Sequence, residues 1–183
     1  MNIPISKLNW LIWLFPLLYF IHDVEEILTV EEFLTKHSDV VPIKITTLEF
    51  TLAFLLLWIF TFIGCYKASK NKRFLGLESK TFFSFLVPGI FLANGIGHLI
   101  QLILFQSYVP GIITSIVIIY PYSFITLKYL IHEQLLTVRK FLLFLCLGFI
   151  LQAPIALLAH IIVKGMVYYV PLLFNELVDK GGF

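Results

Sequence analysis

His22, Asp23, Val24, Glu25 and Glu26 stand together in a chain with few charges. At helical spacing His22, Glu25 and Glu26 fall at i, i+3 and i+4, so all three share one side of a helix. Asn94, His98 and Gln101, at i, i+4 and i+7, likewise share one side, and Gln152, Ala156, His160 and Lys164 recur at intervals of four. Imidazole and carboxylate together suit Zn, Fe or Mn. A His and a Glu three apart can reach one ion, and ferritin-like di-iron bundles use that spacing in the reverse order. The expectation is a divalent-metal site drawn from His22, Glu25, Glu26, Glu49, His98 and His160. Glu25 and Glu26 are the expected catalytic carboxylates, and Glu49 a ligand or base. Asn94, Gln101 and Tyr108 are the expected substrate contacts.

These residues need helices to carry them, and the composition says which kind. Hydrophobic residues make up 60% of the chain and charged ones 13%. So few charges could not cover a water-soluble domain of 183 residues. A hydrocarbon layer of ~30 Å takes ~20 mostly apolar residues per helix. Apolar runs at 8–28, 45–66, 81–105, 110–130 and 141–163 predict about five transmembrane helices in one all-α domain, 1–183. The stretch 167–173 reads as an extension of the last span or an interfacial turn. Pro16, Pro88, Pro121 and Pro154 lie inside the runs, where each should kink its helix.

Basic residues set the orientation. Lys67, Lys70, Lys72, Arg73 and Lys80 lie between the second and third runs, and Lys128, Arg139 and Lys140 between the fourth and fifth. The other connections are poorer in them, so the N-terminus is expected inside and the C-terminus outside. Lys7 precedes an apolar run with no small-residue cleavage site, so this segment reads as a retained helix and not a secretory signal. Cys65 and Cys146 fall beside the basic flanks and are expected as free thiols. A net charge of +2 gives no reason to expect nucleic acid. The expected surroundings are a lipid bilayer, most simply the bacterial plasma membrane.

Depth supports one site. At 1.5 Å per residue from the basic flanks, His22 lies ~22 Å up, Glu26 ~28 Å, Glu49 and His98 ~27 Å, and His160 ~30 Å. Four helices thus hold His or Glu at one level, in the outer half of the bilayer. Gly95 and Gly97, and Ala153, Ala156 and Ala159, allow close helix contact there.

His22-Asp23-Val24-Glu25-Glu26 spells H-x-x-E-E at the end of a first hydrophobic segment. With Asn94-x-x-x-His98 and Tyr108-Val109-Pro110-Gly111, it resembles the HXXEE-motif family of small bacterial membrane proteins, over roughly 8–160. The resemblance implies a multi-span membrane protein with functional weight on His22, Glu25 and Glu26. It implies no particular reaction.

Three functions fit these expectations. The first is a metal-dependent membrane hydrolase, or a di-iron oxidase, acting on a lipid-like or other apolar molecule. A bound metal would activate water or oxygen, with Glu25 or Glu26 as general base. The second is a proton-coupled transporter or ion pathway, since proton relays also use intramembrane Glu and His. The third is a non-catalytic membrane partner in which the cluster is structural.

Overall fold

The computed structural model describes residues 5–181. These residues form five helices: α1 (Ile5–Lys36), α2 (Thr47–Ser69), α3 (Ser79–Phe105), α4 (Ile112–His132) and α5 (Val138–Gly181). Four of them, α2 to α5, are long and apolar enough to cross a membrane. The apolar run of α1 is broken by Asp23, Glu25 and Glu26, although the helix itself continues through them. Every expected run lies largely within a helix, but the ends differ. The stretch 167–173 continues α5, which runs unbroken to Gly181.

Two of the four prolines leave their mark as widened turns, while the chain stays α-helical through Pro16 and Pro154. Within α3, Leu86–Leu92 is π-helical around Pro88. Within α4, Ser115–Ile119 is π-helical immediately before Pro121. A proline lacks an N–H and crowds the carbonyl one turn back, and a π turn relieves that crowding by widening the helix. Gln152 of α5 ties the widened segment to its neighbour: its Nε2 donates to Ile90 O at 2.7 Å and lies 3.5 Å from Gly89 O. Gly148, one turn earlier on α5, lets the two helices approach this closely. A Cβ there would collide with the Gly89 backbone.

Packing concentrates where α1, α3 and α4 meet. Phe15 is fully buried, with ring centres 5.1 Å from Phe91, 6.1 Å from Tyr122 and 6.5 Å from Phe83. Tyr122 Oη donates to Leu11 O at 2.7 Å, and Trp58 Nε1 donates to Pro16 O at 2.8 Å. Each aromatic therefore buries its ring and still satisfies its polar end. Lipid-facing surface costs nothing to leave exposed, so the bundle is held by such packing and bonds more than by hydrophobic burial.

The start of α2 corrects one expectation. Glu49 is not in the group formed by His22, Glu26 and His98. It closes a capping box, with Oε2 accepting from Thr46 N at 2.9 Å and its own N–H reaching Thr46 Oγ1 at 3.2 Å. Glu31 at the end of α1 adds a second carboxylate, accepting from Thr47 N at 2.8 Å and Thr47 Oγ1 at 2.5 Å. Both negative groups suit the positive end of a helix. The Thr47 hydroxyl and N–H hold the Glu31 carboxyl below its usual range. Its contribution is present above the ordinary carboxylate pKa and fades as pH falls through the lowered one.

Removing the cap tests this assignment. Thr46→Ala should cost about 1 kcal/mol in a detergent-unfolding titration and leave any metal content unchanged. A loss of bound metal in Thr46→Ala would return Glu49 to the site.

Candidate metal centre

The centre is assembled from α1, α3 and the turn that enters α4. His22 and Glu26 lie one helical turn apart on α1, and Asn94 and His98 one turn apart on α3. Two pairs at i, i+4 on adjacent helices face each other. His98 Nε2 lies 2.8 Å from Glu26 Oε1 and 2.9 Å from Asn94 Oδ1. His22 Nε2 lies 2.8 Å from Asn94 Oδ1 and 3.3 Å from Glu26 Oε1. Two ring nitrogens and two oxygens thus alternate around a small quadrilateral. His22, Asp23 and His98 are buried, and Glu26 is 12% exposed. Among the described residues His22, Glu26 and His98 form a group whose ligand atoms all lie within 4.8 Å of one another.

The other face of His22 decides its protonation. Thr114 Oγ1 is 2.7 Å from His22 Nδ1 and 2.5 Å from Glu25 Oε2. The hydroxyl has one proton, and the carboxylate takes it. Toward His22 the same oxygen must accept, so the ring carries a proton on Nδ1 and turns Nε2 toward the centre. That is the tautomer a metal ligand needs, with a carboxylate behind it through one hydroxyl.

A lone pair on Nε2 then faces oxygen lone pairs on Asn94 and Glu26. Three things relieve that: an Asn94 amide turned to donate, a second proton on the imidazole, or a metal ion. Donors ~2.1 Å from a tetrahedral ion lie ~3.4 Å apart, so the quadrilateral needs to open by roughly half an ångström to hold one. Two His, one Glu and a replaceable fourth position make the donor set of a catalytic zinc site. The fourth corner here is the Asn94 amide oxygen.

Gly111 closes the centre from above. Its φ of +79° belongs to the left-handed region. A Cβ there would stand 2.8 Å from His22 Cε1, 2.9 Å from Glu26 Oε1 and 2.9 Å from His98 Cε1. No other residue type gives both that turn and that clearance, which is the physical content of the Tyr-Val-Pro-Gly segment.

The expected site residues divide. His22, Glu26 and His98 come together as expected, and Asn94 joins them at the centre, not as a peripheral substrate contact. Glu25 does not enter the group. Its carboxylate accepts from Tyr108 Oη at 2.7 Å, Ile113 N at 3.1 Å, Thr114 N at 2.7 Å and Thr114 Oγ1. Four donors leave no lone pair for an ion or for general-base work. Tyr108 is therefore a partner of Glu25, and burial and that carboxylate both push its phenol up. Gln101 lines a cavity of ≈420 Å³ with Glu26, His98 and Asn94, walled by Val30, Phe33 and Phe105.

His160 stands apart, across a second cavity from Glu26 and 5.8 Å from the Phe50 ring. Shared depth is what joins it and Glu49 to the others in the sequence. Depth fixes height along the membrane normal but not direction around the bundle. Sequence reasoning missed Thr114 and Gly111, which reach the centre from the turn into α4, and Asp23. The Pro-Gly pair is a signal for a tight turn, but nothing in it says what the turn covers.

A family model described as a protein of unknown function with an HXXEE motif matches residues 13–126. That stretch includes His22, Glu25, Glu26, Asn94, His98, Gly111 and Thr114, and stops before α5. No curated protein and no solved structure matches the chain.

Two glycines should respond in opposite directions. Gly111→Ala should lose about 1–3 kcal/mol through strain and intrusion on both imidazoles. Gly165→Ala, with nothing within 4 Å of its added methyl, should gain up to about 1 kcal/mol in the same unfolding titration. Equal responses of the two would show that the turn does not cover the centre.

Proposed function

The chain belongs to the family of proteins of unknown function with an HXXEE motif, and we propose that it is an integral membrane metalloenzyme. All five helices cross the bilayer in this reading, α1 included. Its polar turn is directed inward, with His22 and Asp23 buried, while Trp10, Leu17 and Leu28 face outward. Lys7 lies 5.1 Å over the Tyr129 ring, so the start of α1 meets the end of α4 on the side that carries the basic loops. This supports an N-terminus on the cytoplasmic face of a plasma membrane, a C-terminus outside, and a centre in the outer half.

The observation that carries the reading is the convergence of His22 Nε2, His98 Nε2 and Glu26 Oε1, with His22 turned by Thr114. We assign these three as ligands of one divalent ion, Zn, Fe or Mn. Water at the fourth position would be acidified by the ion. The adjoining cavity of ≈420 Å³ is walled by apolar side chains and floored by His98, Asn94 and Glu26. That shape suits an apolar or lipid-like substrate with its reacting group at the centre. Hydrolysis is the simplest chemistry these donors would support. Oxidation at iron is the variant the same donors would support.

A proton pathway is the second reading, and one feature favours it. The hydroxyls of Ser115, Ser123, Thr126 and Tyr129 are buried on α4 without partners. They run from the centre's level toward the basic face. Neither cavity beside the centre is lined by them, which keeps this reading second.

Metal analysis of protein purified in detergent after growth with Zn, Fe and Mn should find about one ion per chain. His22→Ala, His98→Ala and Glu26→Gln should each abolish it. Thr114→Val should weaken binding about 10- to 100-fold, because His22 would lose the group that sets its tautomer. Protein with no bound metal under all three supplies would end the metalloenzyme reading. Proton-driven uptake into proteoliposomes, lost in Glu26→Gln, would replace it with the transporter.

A further inference from the structure

Behind Glu26, on the side away from Gly111, lies a space of ≈150 Å³ between α1, α2, α3 and α5. One liquid water occupies ~30 Å³, so the space admits a small polar group but not a lipid chain. Three rings line it, those of Tyr19, Phe50 and Phe54, with Tyr19 and Phe54 set edge to face at 6.0 Å. Asp23 and Glu26 bring carboxylates to its wall. Asp23 is 5% exposed, and its Oδ2 is buried with no partner. His160 faces the space from α5, and its Nδ1 is also buried without a partner.

An unpartnered buried carboxylate is costly, and a cation offsets that cost. Glu26 is already committed to His22 and His98, whereas Asp23 has nothing. A second metal ion is poorly served here. The ligand atoms of Asp23, Glu26 and His160 do not form a close group, unlike those of His22, Glu26 and His98. An anion would meet two carboxylates. Aromatic rings with an acidic wall instead suit an organic ammonium, which rings and carboxylate attract together.

We propose that this space binds the ammonium group of an amine, held by Asp23 and the rings of Tyr19, Phe50 and Phe54. The space and the metal centre share Glu26 and Asn94 as a common wall. A molecule whose amine sits here would present a neighbouring bond to the centre. Only this last step, that the amine belongs to the substrate, rests on the metalloenzyme reading. The amine could be part of a lipid headgroup or a free small molecule.

The test uses full-length protein stripped of metal, so that amine binding and metal chemistry fail separately. Tetramethylammonium and ethanolamine are titrated by calorimetry in detergent. At least one should bind saturably, and Asp23→Asn should weaken that binding about tenfold or more, as expected for a lost charged contact. Phe50→Leu should weaken it several-fold, with an unchanged unfolding midpoint in detergent as the sign that each variant is folded. Nanodiscs then separate the sources. Competition with the probe by phosphatidylethanolamine or phosphatidylcholine, but not phosphatidylglycerol, identifies a headgroup. Unaltered probe binding in all three lipids identifies a free amine. No saturable binding of either probe, or equal binding by Asp23→Asn, overturns the proposal, as does a site that takes a divalent ion only.

Discussion

Glu25 accepts hydrogen bonds from the N–H groups of Ile113 and Thr114 in the first turn of α4, from the Thr114 hydroxyl and from Tyr108. The rest of the centre depends on that docking. It fixes α1 against the entrance of α4, where a helix start exposes donors and positive potential. It consumes the Thr114 proton, and so sets which nitrogen of His22 faces inward. It also draws the turn at Gly111 down onto the two imidazoles. A membrane interior offers no water to do any of this. One of the two carboxylates expected as general base is thus the one that organises the others.

The same scarcity of donors explains the less regular parts of the bundle. Pro88 and Pro121 sit beside π-helical turns, and a glutamine on α5 supplies bonds at Gly89 and Ile90. Gly148 permits the crossing that puts the glutamine there. The widened segment of α3 ends at Leu92, two residues before Asn94 and less than two turns before His98. A π turn rotates the residues beyond it relative to a straight helix. The proline therefore helps decide which way Asn94 and His98 point, even though it touches neither the metal donors nor the cavities.

Much of this is legible in the sequence. Hydrophobic runs locate all five helices, because a membrane helix must be apolar over most of its length. The i, i+4 pairs His22–Glu26 and Asn94–His98 are legible because a helix makes such pairs neighbours whatever surrounds them. Glu49 and His160 are misplaced by the same reading, because height in the bilayer says nothing of direction around the bundle. Glu49 lies in the first turn of α2, where Thr46 gives it a local task. His160 sits on a helix whose rotation is set by Gln152 and Gly148. Thr114 and Gly111 are not legible at all, since their contacts are made across about ninety residues of chain.

The motif itself has a simple geometry. At 100° per residue, the four polar side chains of His22-Asp23-Val24-Glu25-Glu26 fan over about 160° of α1, in the order Glu25, His22, Glu26, Asp23. One edge of the fan meets the start of α4. The middle pair meets Asn94 and His98 on α3. The far edge opens on the ring-lined space toward α2 and α5. Val24, on the remaining side, is exposed toward lipid. One turn of helix therefore serves three neighbours, and its residues cannot all enter one coordination shell. Of the positions between the histidine and the two glutamates, Asp23 points inward and Val24 outward. The motif fixes His22, Glu25 and Glu26 and leaves the residue at position 23 open, so the proposed amine site rests on a position the motif does not prescribe.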